Sequence, residues 1–135
     1  MSSFTLTLTF DKKEEFNGRL SQTYDPPISL SPGKWEVAVI RFRSTEDTPL
    51  GGIFLFSNVV KYNYVNGKKM RFLDNIDFNV NNNYSSNNVP RYVPLGIKKF
   101  ITHINIDIRV KPEESPDEST DFKSNIVCVL HFRKA

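Results

Sequence analysis

The segment Phe4-Thr-Leu-Thr-Leu-Thr-Phe10 sets apolar side chains at 4, 6, 8 and 10 with a threonine between each. In an extended chain alternate side chains point to opposite faces, so this period of two predicts a strand with one buried face; the β-branched threonines suit the other. Ile104-Asn-Ile-Asp-Ile-Arg-Val110 repeats the pattern. A slip of one residue there would carry Ile104, Ile106, Ile108 and Val110 into water at roughly 1.5 to 3 kcal/mol each, so the pairing register is strongly specified.

Further strands are predicted over residues 34–42, 53–56, 59–65, 75–80 and 122–132, with shorter extended pieces at 19–24, 28–30 and 91–95. Pro26-Pro27, Ser31-Pro32-Gly33, Gly51-Gly52, Asn66-Gly67 and Pro94 supply the turn chemistry between them. Asn66-Gly67 between two strand-like runs predicts a hairpin. The best helical window, residues 11–16, is long enough only for a short connector. Alternation places Trp35, Val37 and Val39 on one face, which makes Trp35 a core anchor. Many short strands with frequent turns predict an all-β sandwich or barrel.

Two polar stretches are expected to be surface loops. Residues 79–88 hold six asparagines, and Asn83-Tyr84-Ser85 matches a glycosylation sequon that the expected intracellular synthesis leaves unused. Residues 111–120 combine Pro112 and Pro116 with carboxylates and predict a solvated strand connection.

The 135 residues, 39% of them hydrophobic, suit a single domain over 1–135 that buries roughly two thirds of its unfolded surface, so neither disulfide nor structural metal is required. Cys128 has no second cysteine to pair with, and the N-terminus lacks a basic-then-apolar leader. Synthesis inside a cell, in the reducing cytoplasm or nucleus, is expected. The apolar runs are a few residues long against the roughly 18 to 20 of a membrane-spanning helix, so no such span is expected.

Eighteen basic residues against fifteen acidic ones leave a net charge of +3. The basic residues gather as Lys68, Lys69 and Arg71, as Arg41 and Arg43, and as Arg133 and Lys134. So mild an excess reads as solvated faces, and a nucleic-acid partner is not expected. Cys128 stands inside the alternating run Ile126-Val-Cys-Val-Leu130, where a thiol is a small core residue, and His103 and His131 lack zinc-ligand spacing. Asp107 points away from Ile106 and Ile108, toward solvent or a neighbouring subunit. No nucleophile with its base and no phosphate-binding glycine loop is present, so the chain is not expected to be an enzyme or to hold a cofactor or metal. Aromatic and basic residues do interleave in Lys61-Tyr-Asn-Tyr64 and over 68–72. A binding module for glycans or single-stranded nucleic acid is therefore the alternative reading.

The segment Pro27-Ile-Ser-Leu-Ser-Pro-Gly-Lys-Trp-Glu-Val-Ala-Val39 resembles the early strand of the minor capsid, or penton, proteins of Maverick (Polinton) elements and adintoviruses, where an apolar strand leads into a Trp-Glu-Val-Gly-Leu-like motif. Residues 53–60, then Tyr64-Val-Asn-Gly67 and Met70-Arg-Phe-Leu73, resemble the next strand, turn and apolar run in the same order. Tyr92-Val-Pro-Leu95, residues 100–109 and Val129-Leu-His-Phe-Arg-Lys134 are similar to the closing motifs. Ala38 stands where the family has glycine, and only about ten residues separate Phe42 from Ile53 where the family has a long stretch, so the resemblance is to a shortened form: a minimal member, an engineered deletion or a domesticated copy.

The resemblance implies a single jelly-roll β-sandwich of about eight antiparallel strands and a non-enzymatic capsid vertex subunit of the virion. It also implies a homo-oligomer, a pentamer, beside a major capsid protein and open to a host receptor. Strand flanks and connecting loops would then carry the contacts, with Arg41, Arg43, Lys68, Lys69, Arg71, Arg91 and Arg133 as the interface residues.

Overall fold

A computed structural model describes residues 2–10, 18–44, 53–65, 67–76, 83–85, 90–97, 99–109 and 125–135. Its strands are β1 (Ser3–Phe10), β2 (Arg19–Ser29), β3 (Trp35–Ser44), β4 (Ile53–Ser57), β5 (Asn63–Val65), β6 (Lys68–Met70), β7 (Phe72–Ile76), β8 (Asn83–Ser85), β9 (Val93–Pro94), β10 (Phe100–Arg109) and β11 (Ile126–Lys134). None of the described residues is helical. One sheet runs β1-β11-β3-β8, with β9 also paired to β3; the other runs β2-β10-β4-β7, and β5 and β6 form a separate hairpin. The chain is an antiparallel β-sandwich.

The alternating strands supply the core. Leu8, Val37, Val39, Phe42, Cys128, Leu130 and Phe132 of the first sheet meet Leu20, Leu55, Leu73, Ile104, Ile106 and Ile108 of the second, all buried in one cluster. Each large aliphatic side chain so covered contributes roughly 1.5 to 3 kcal/mol. Trp35 is 4% exposed, donates from Nε1 to the Ser31 carbonyl at 2.9 Å, and packs against Phe4 at 5.6 Å between ring centres. Phe4 in turn stacks on Phe132, its antiparallel partner, at 4.9 Å.

Strand β3 contains the bend that matters for its surface. Trp35, Val37 and Val39 face inward, and strict alternation would send Arg41 and Arg43 after them. The ladder shifts instead: Val39 faces Leu130 and Arg41 faces Val129, leaving Ile40 as an extra residue. A bulge of this kind reverses the parity of everything that follows it. Phe42 turns inward and is fully buried, while Arg41 and Arg43 are exposed on the outer face.

The structure differs from the expectations in several places. Pro26-Pro27 does not end a strand, because β2 runs through it at the sheet edge. Thr23 faces His103 and Ile28 faces Ile101, so the prolines fall where the ladder shifts and their missing N–H forfeits no pairing bond. Pro94, likewise expected as a break, lies within the two-residue edge strand β9.

Of residues 59–65 only Asn63–Val65 is strand. Val59 and Val60 are buried in a turn that closes from the Val60 N–H to the Ser57 carbonyl at 3.3 Å. The expected strand at 75–80 begins earlier, at Phe72, where apolar side chains resume. Asn83–Ser85, expected as loop, is β8, paired with Arg43, Phe42 and Arg41 through backbone groups that need no apolar side chain.

Strands β5 and β6 pair as the predicted hairpin, with Gly67 at φ 78°, a conformation that costs glycine little; Asn66 lies outside the described residues. Residues 11–16, Gly51-Gly52 and 111–120 lie outside the described residues. Among the described residues no helix is long and apolar enough to cross a membrane.

Candidate interaction faces

The inward turn of Ile104, Ile106 and Ile108 leaves Asn105, Asp107 and Arg109 on the outer face of the second sheet. Asp107 faces Arg19 of β2 directly. The guanidinium donates from Nε to Oδ1 at 2.5 Å and from Nη2 to Oδ2 at 3.2 Å, and Arg109 approaches the same carboxylate at 3.8 Å. Asp107 does face away from Ile106 and Ile108 as expected, but its side chain is 16% exposed and held by arginines of its own sheet rather than left for solvent or a neighbouring subunit. The carboxylate hydrogen bond, ahead of their attraction, raises the pKa of Arg19.

Beside this pair the β5–β6 hairpin and the turn before it bring up Lys69 and Arg71. Arg71 donates from Nη1 to the carbonyls of Asn58 at 2.6 Å and Val60 at 3.4 Å, and its guanidinium carbon lies 4.4 Å from the centre of the Tyr62 ring. The ammonium of Lys69 lies 5.1 Å from the same ring. Hydrogen bonding and charge from Arg71 lower the pKa of the Tyr62 phenol. Arg19, Lys69, Arg71 and Arg109 line a depression of about 310 Å³ together with the single carboxylate of Asp107.

Aromatic rings continue this face. Phe72 tilts against Phe54 at 6.4 Å and Phe56 at 5.7 Å. Arg109 lies 4.6 Å over Phe56, and Arg91 lies 4.9 Å over Phe72 while donating to the Leu73 carbonyl at 2.8 Å. Aromatic rings capped by guanidinium groups have the composition that protein interfaces favour, because both offer large, stiff contact area.

The outer face of the first sheet carries a second cluster. The Tyr92 hydroxyl lies 2.7 Å from Nδ1 of His131, and the Arg133 guanidinium carbon lies 3.5 Å from the centre of the Tyr92 ring. Arg133 also donates from Nε to Glu36 at 2.7 Å. A third feature is a cavity of about 680 Å³ at one end of the sandwich, walled by Leu30, Trp35, Leu95 and Ile97 with Lys34, Lys61 and Lys99 also at its lining.

The seven residues expected at an interface are therefore split. Arg41 and Arg43 lie exposed on the first sheet, and Lys68 and Lys69 are exposed on the hairpin. Arg71, Arg91 and Arg133 are engaged within the subunit. Only Lys69 and Arg71 meet in one depression, which Arg19, Asp107 and Arg109 complete; alternation along β10 shows that Asp107 and Arg109 share a face, but no local pattern marks their meeting with Arg19 or with the hairpin. Cys128 is wholly buried, and burial, with a smaller effect from Asp74, pushes its thiol up to about 12. Among the described residues no three His, Cys, Asp or Glu side chains gather as metal ligands.

Compared with protein-family models, with curated proteins and with solved structures, the chain matches none.

Proposed function

We propose that the chain is a shell subunit of the minor capsid, or penton, type: a single jelly roll that closes head to tail into a five-membered ring at the vertex of an icosahedral shell. The nested order of its strand pairs carries the reading. With β8 and β9 counted as one interrupted strand along β3, and the β5–β6 hairpin set aside as an insertion, eight strands remain in chain order. First pairs with last (β1 with β11), second with seventh (β2 with β10), third with sixth (β3 with β8 and β9) and fourth with fifth (β4 with β7). Such pairing describes one long antiparallel hairpin, and the contacts of β11 with β3 and of β10 with β4 roll it into two sheets. A jelly roll is built in this way.

A fold of this kind hosts many functions, so the capsid assignment draws on two further supports. The ordered motifs from Pro27 to Lys134 resemble the penton family along most of the chain. The exposed Tyr62 ring and the half-buried Phe72 ring, each capped by an arginine, supply an outer face suited to a neighbouring subunit. The mechanism is geometric: a head-to-tail contact closes when its rotation divides the circle, and strand-end loops then face a receptor or a major capsid protein.

Light scattering and electron microscopy of the purified protein across salt and concentration test this reading. Closed rings of five times the 15.6 kDa subunit mass are expected. A strict monomer under every condition overturns it.

A second reading, a module for single-stranded nucleic acid, is favoured by the exposed Tyr62 ring with Lys69 and Arg71 set against it. It requires oligonucleotide affinity that falls steeply with salt, and no binding at low salt removes it.

A further inference from the structure

Among the described residues the two sheets have four edges: β1, β8 with β9, β2 and β7. An edge strand presents unpaired N–H and C=O groups to any extended chain, and proteins block it with short strands, prolines, bulges or charges. Three of the four edges carry such devices. Strands β8 and β9 have three and two residues, and β9 contains Pro94. Strand β2 contains Pro26-Pro27 and a register shift. Strand β7 has five residues, a register shift and the buried carboxylate of Asp74.

Strand β1 carries none of them. Its eight residues include no charge and no proline, and they pair one to one with β11 from Ser3 with Arg133 to Phe10 with Ile126, without a shift. Among the described residues β11 is the only strand that pairs with it. Its sequence, Phe4-Thr-Leu-Thr-Leu-Thr-Phe10, also reads the same in both directions about Thr7.

We infer that β1 is an interaction edge for a second copy of this chain: two β1 strands pair antiparallel about a two-fold axis at Thr7 and join two five-stranded sheets into one. In that register Phe4 faces Phe10 of the second copy, Thr5 faces Thr9, Leu6 faces Leu8 and Thr7 faces itself. Every residue meets its own type, aromatic and Thr–Thr pairs are among the favourable cross-strand pairs, and no like charges oppose one another. Phe4, Leu6 and Phe10, only partly buried in the single subunit, gain cover from the added strand. The contact is isologous and closes at two subunits, unlike the head-to-tail contact of a ring, so it stands whether or not rings form.

Thr7 is exposed on the outer face, so substitution there spares the core. Thr7→Lys and Thr7→Glu each place like charges opposite one another across the axis. Each variant alone should halve the particle mass seen by sedimentation, with an unchanged far-ultraviolet spectrum, and an equal mixture of the two should restore it. Thr7→Cys should also form an intersubunit disulfide under mild oxidation. Thr5→Cys, which faces Thr9 rather than itself, should not; Cys128 is too buried to interfere. A wild-type mass unaltered by either charge, or cross-linking of Thr5→Cys as fast as of Thr7→Cys, overturns the inference.

Discussion

Arg19 and Asp107, 88 residues apart in the chain, are direct partners across β2 and β10, and the guanidinium holds the carboxylate by two hydrogen bonds of 2.5 and 3.2 Å. The pair ties an edge strand to its neighbour at the rim of the basic depression. Two-point geometry places it at the upper end of the range for partly exposed ion pairs. Asp107→Asn should therefore cost about 1 kcal/mol, read as a lower urea midpoint. The loss should shrink at high salt, and a midpoint indifferent to salt in both proteins would show that the pair contributes nothing.

Tyr92 bonds His131 and lies under Arg133, so one phenol links the segment before β9 to β11 through a hydrogen bond and a ring contact. Tyr92→Phe removes only the hydroxyl and should cost about 1 kcal/mol. Arg133→Lys keeps the charge but loses the flat guanidinium over the ring, at about 0.5 to 1 kcal/mol. The two losses should not add in the double variant, since both act on the same ring. Strict additivity in denaturation would show the contacts to be independent.

Asp74 faces the core from β7, opposite Leu55, and is 7% exposed. Its Oδ1 accepts from the Asn75 N–H at 2.8 Å, while Oδ2 is buried with no hydrogen-bond partner among the described residues. Burial raises the pKa of this carboxyl, opposed by the Asn75 N–H and the charge of Arg91. The fold thus binds the proton more tightly than the unfolded chain does, and this group's stabilising contribution is full at acid pH and lost as pH rises through the raised pKa. Asp74→Asn should be more stable than wild type near neutral pH, by on the order of 1 kcal/mol for the unpaired charged oxygen. The two proteins should converge below about pH 4, where the carboxyl is protonated in both states. Denaturation curves at several pH values check this, and a difference constant with pH would rule out the titration of Asp74 as its source.

Cys128 lies wholly inside the sandwich with its thiol pushed up to about 12. At pH 8 thiolate is then scarce and reagent has no access, so labelling by a chromogenic disulfide should follow the unfolding rate and become complete only in denaturant. Rapid stoichiometric labelling of the native protein would contradict the burial of β11.

Strands β1 and β10 were legible because their alternation is local: each side chain's face follows from the covalent geometry of its own segment. Asn66-Gly67 was legible for the same reason, since the turn needs positive φ at a position where glycine adopts it freely. Strand β3 was itself legible over 34–42, but the facing of its side chains only as far as Val39. The extra residue Ile40 has no signature in composition, yet it decides that Arg41 and Arg43 face out while Phe42 faces in. Prolines inside β2, and β8 within the asparagine-rich stretch 79–88, escaped because both strands lie at sheet edges, where pairing uses backbone groups and asks little of side chains.

From its sequence alone, then, this chain commits to an all-β domain with Trp35 in its core, because a period of two with β-branched and aromatic residues suits little else. Tertiary structure alone decided which distant residues meet: Arg19 with Asp107, and Tyr92 with His131. Periodicity records the face each residue occupies, whereas a partner depends on which strands lie side by side and in what register, and both are set by burial summed over the whole sandwich.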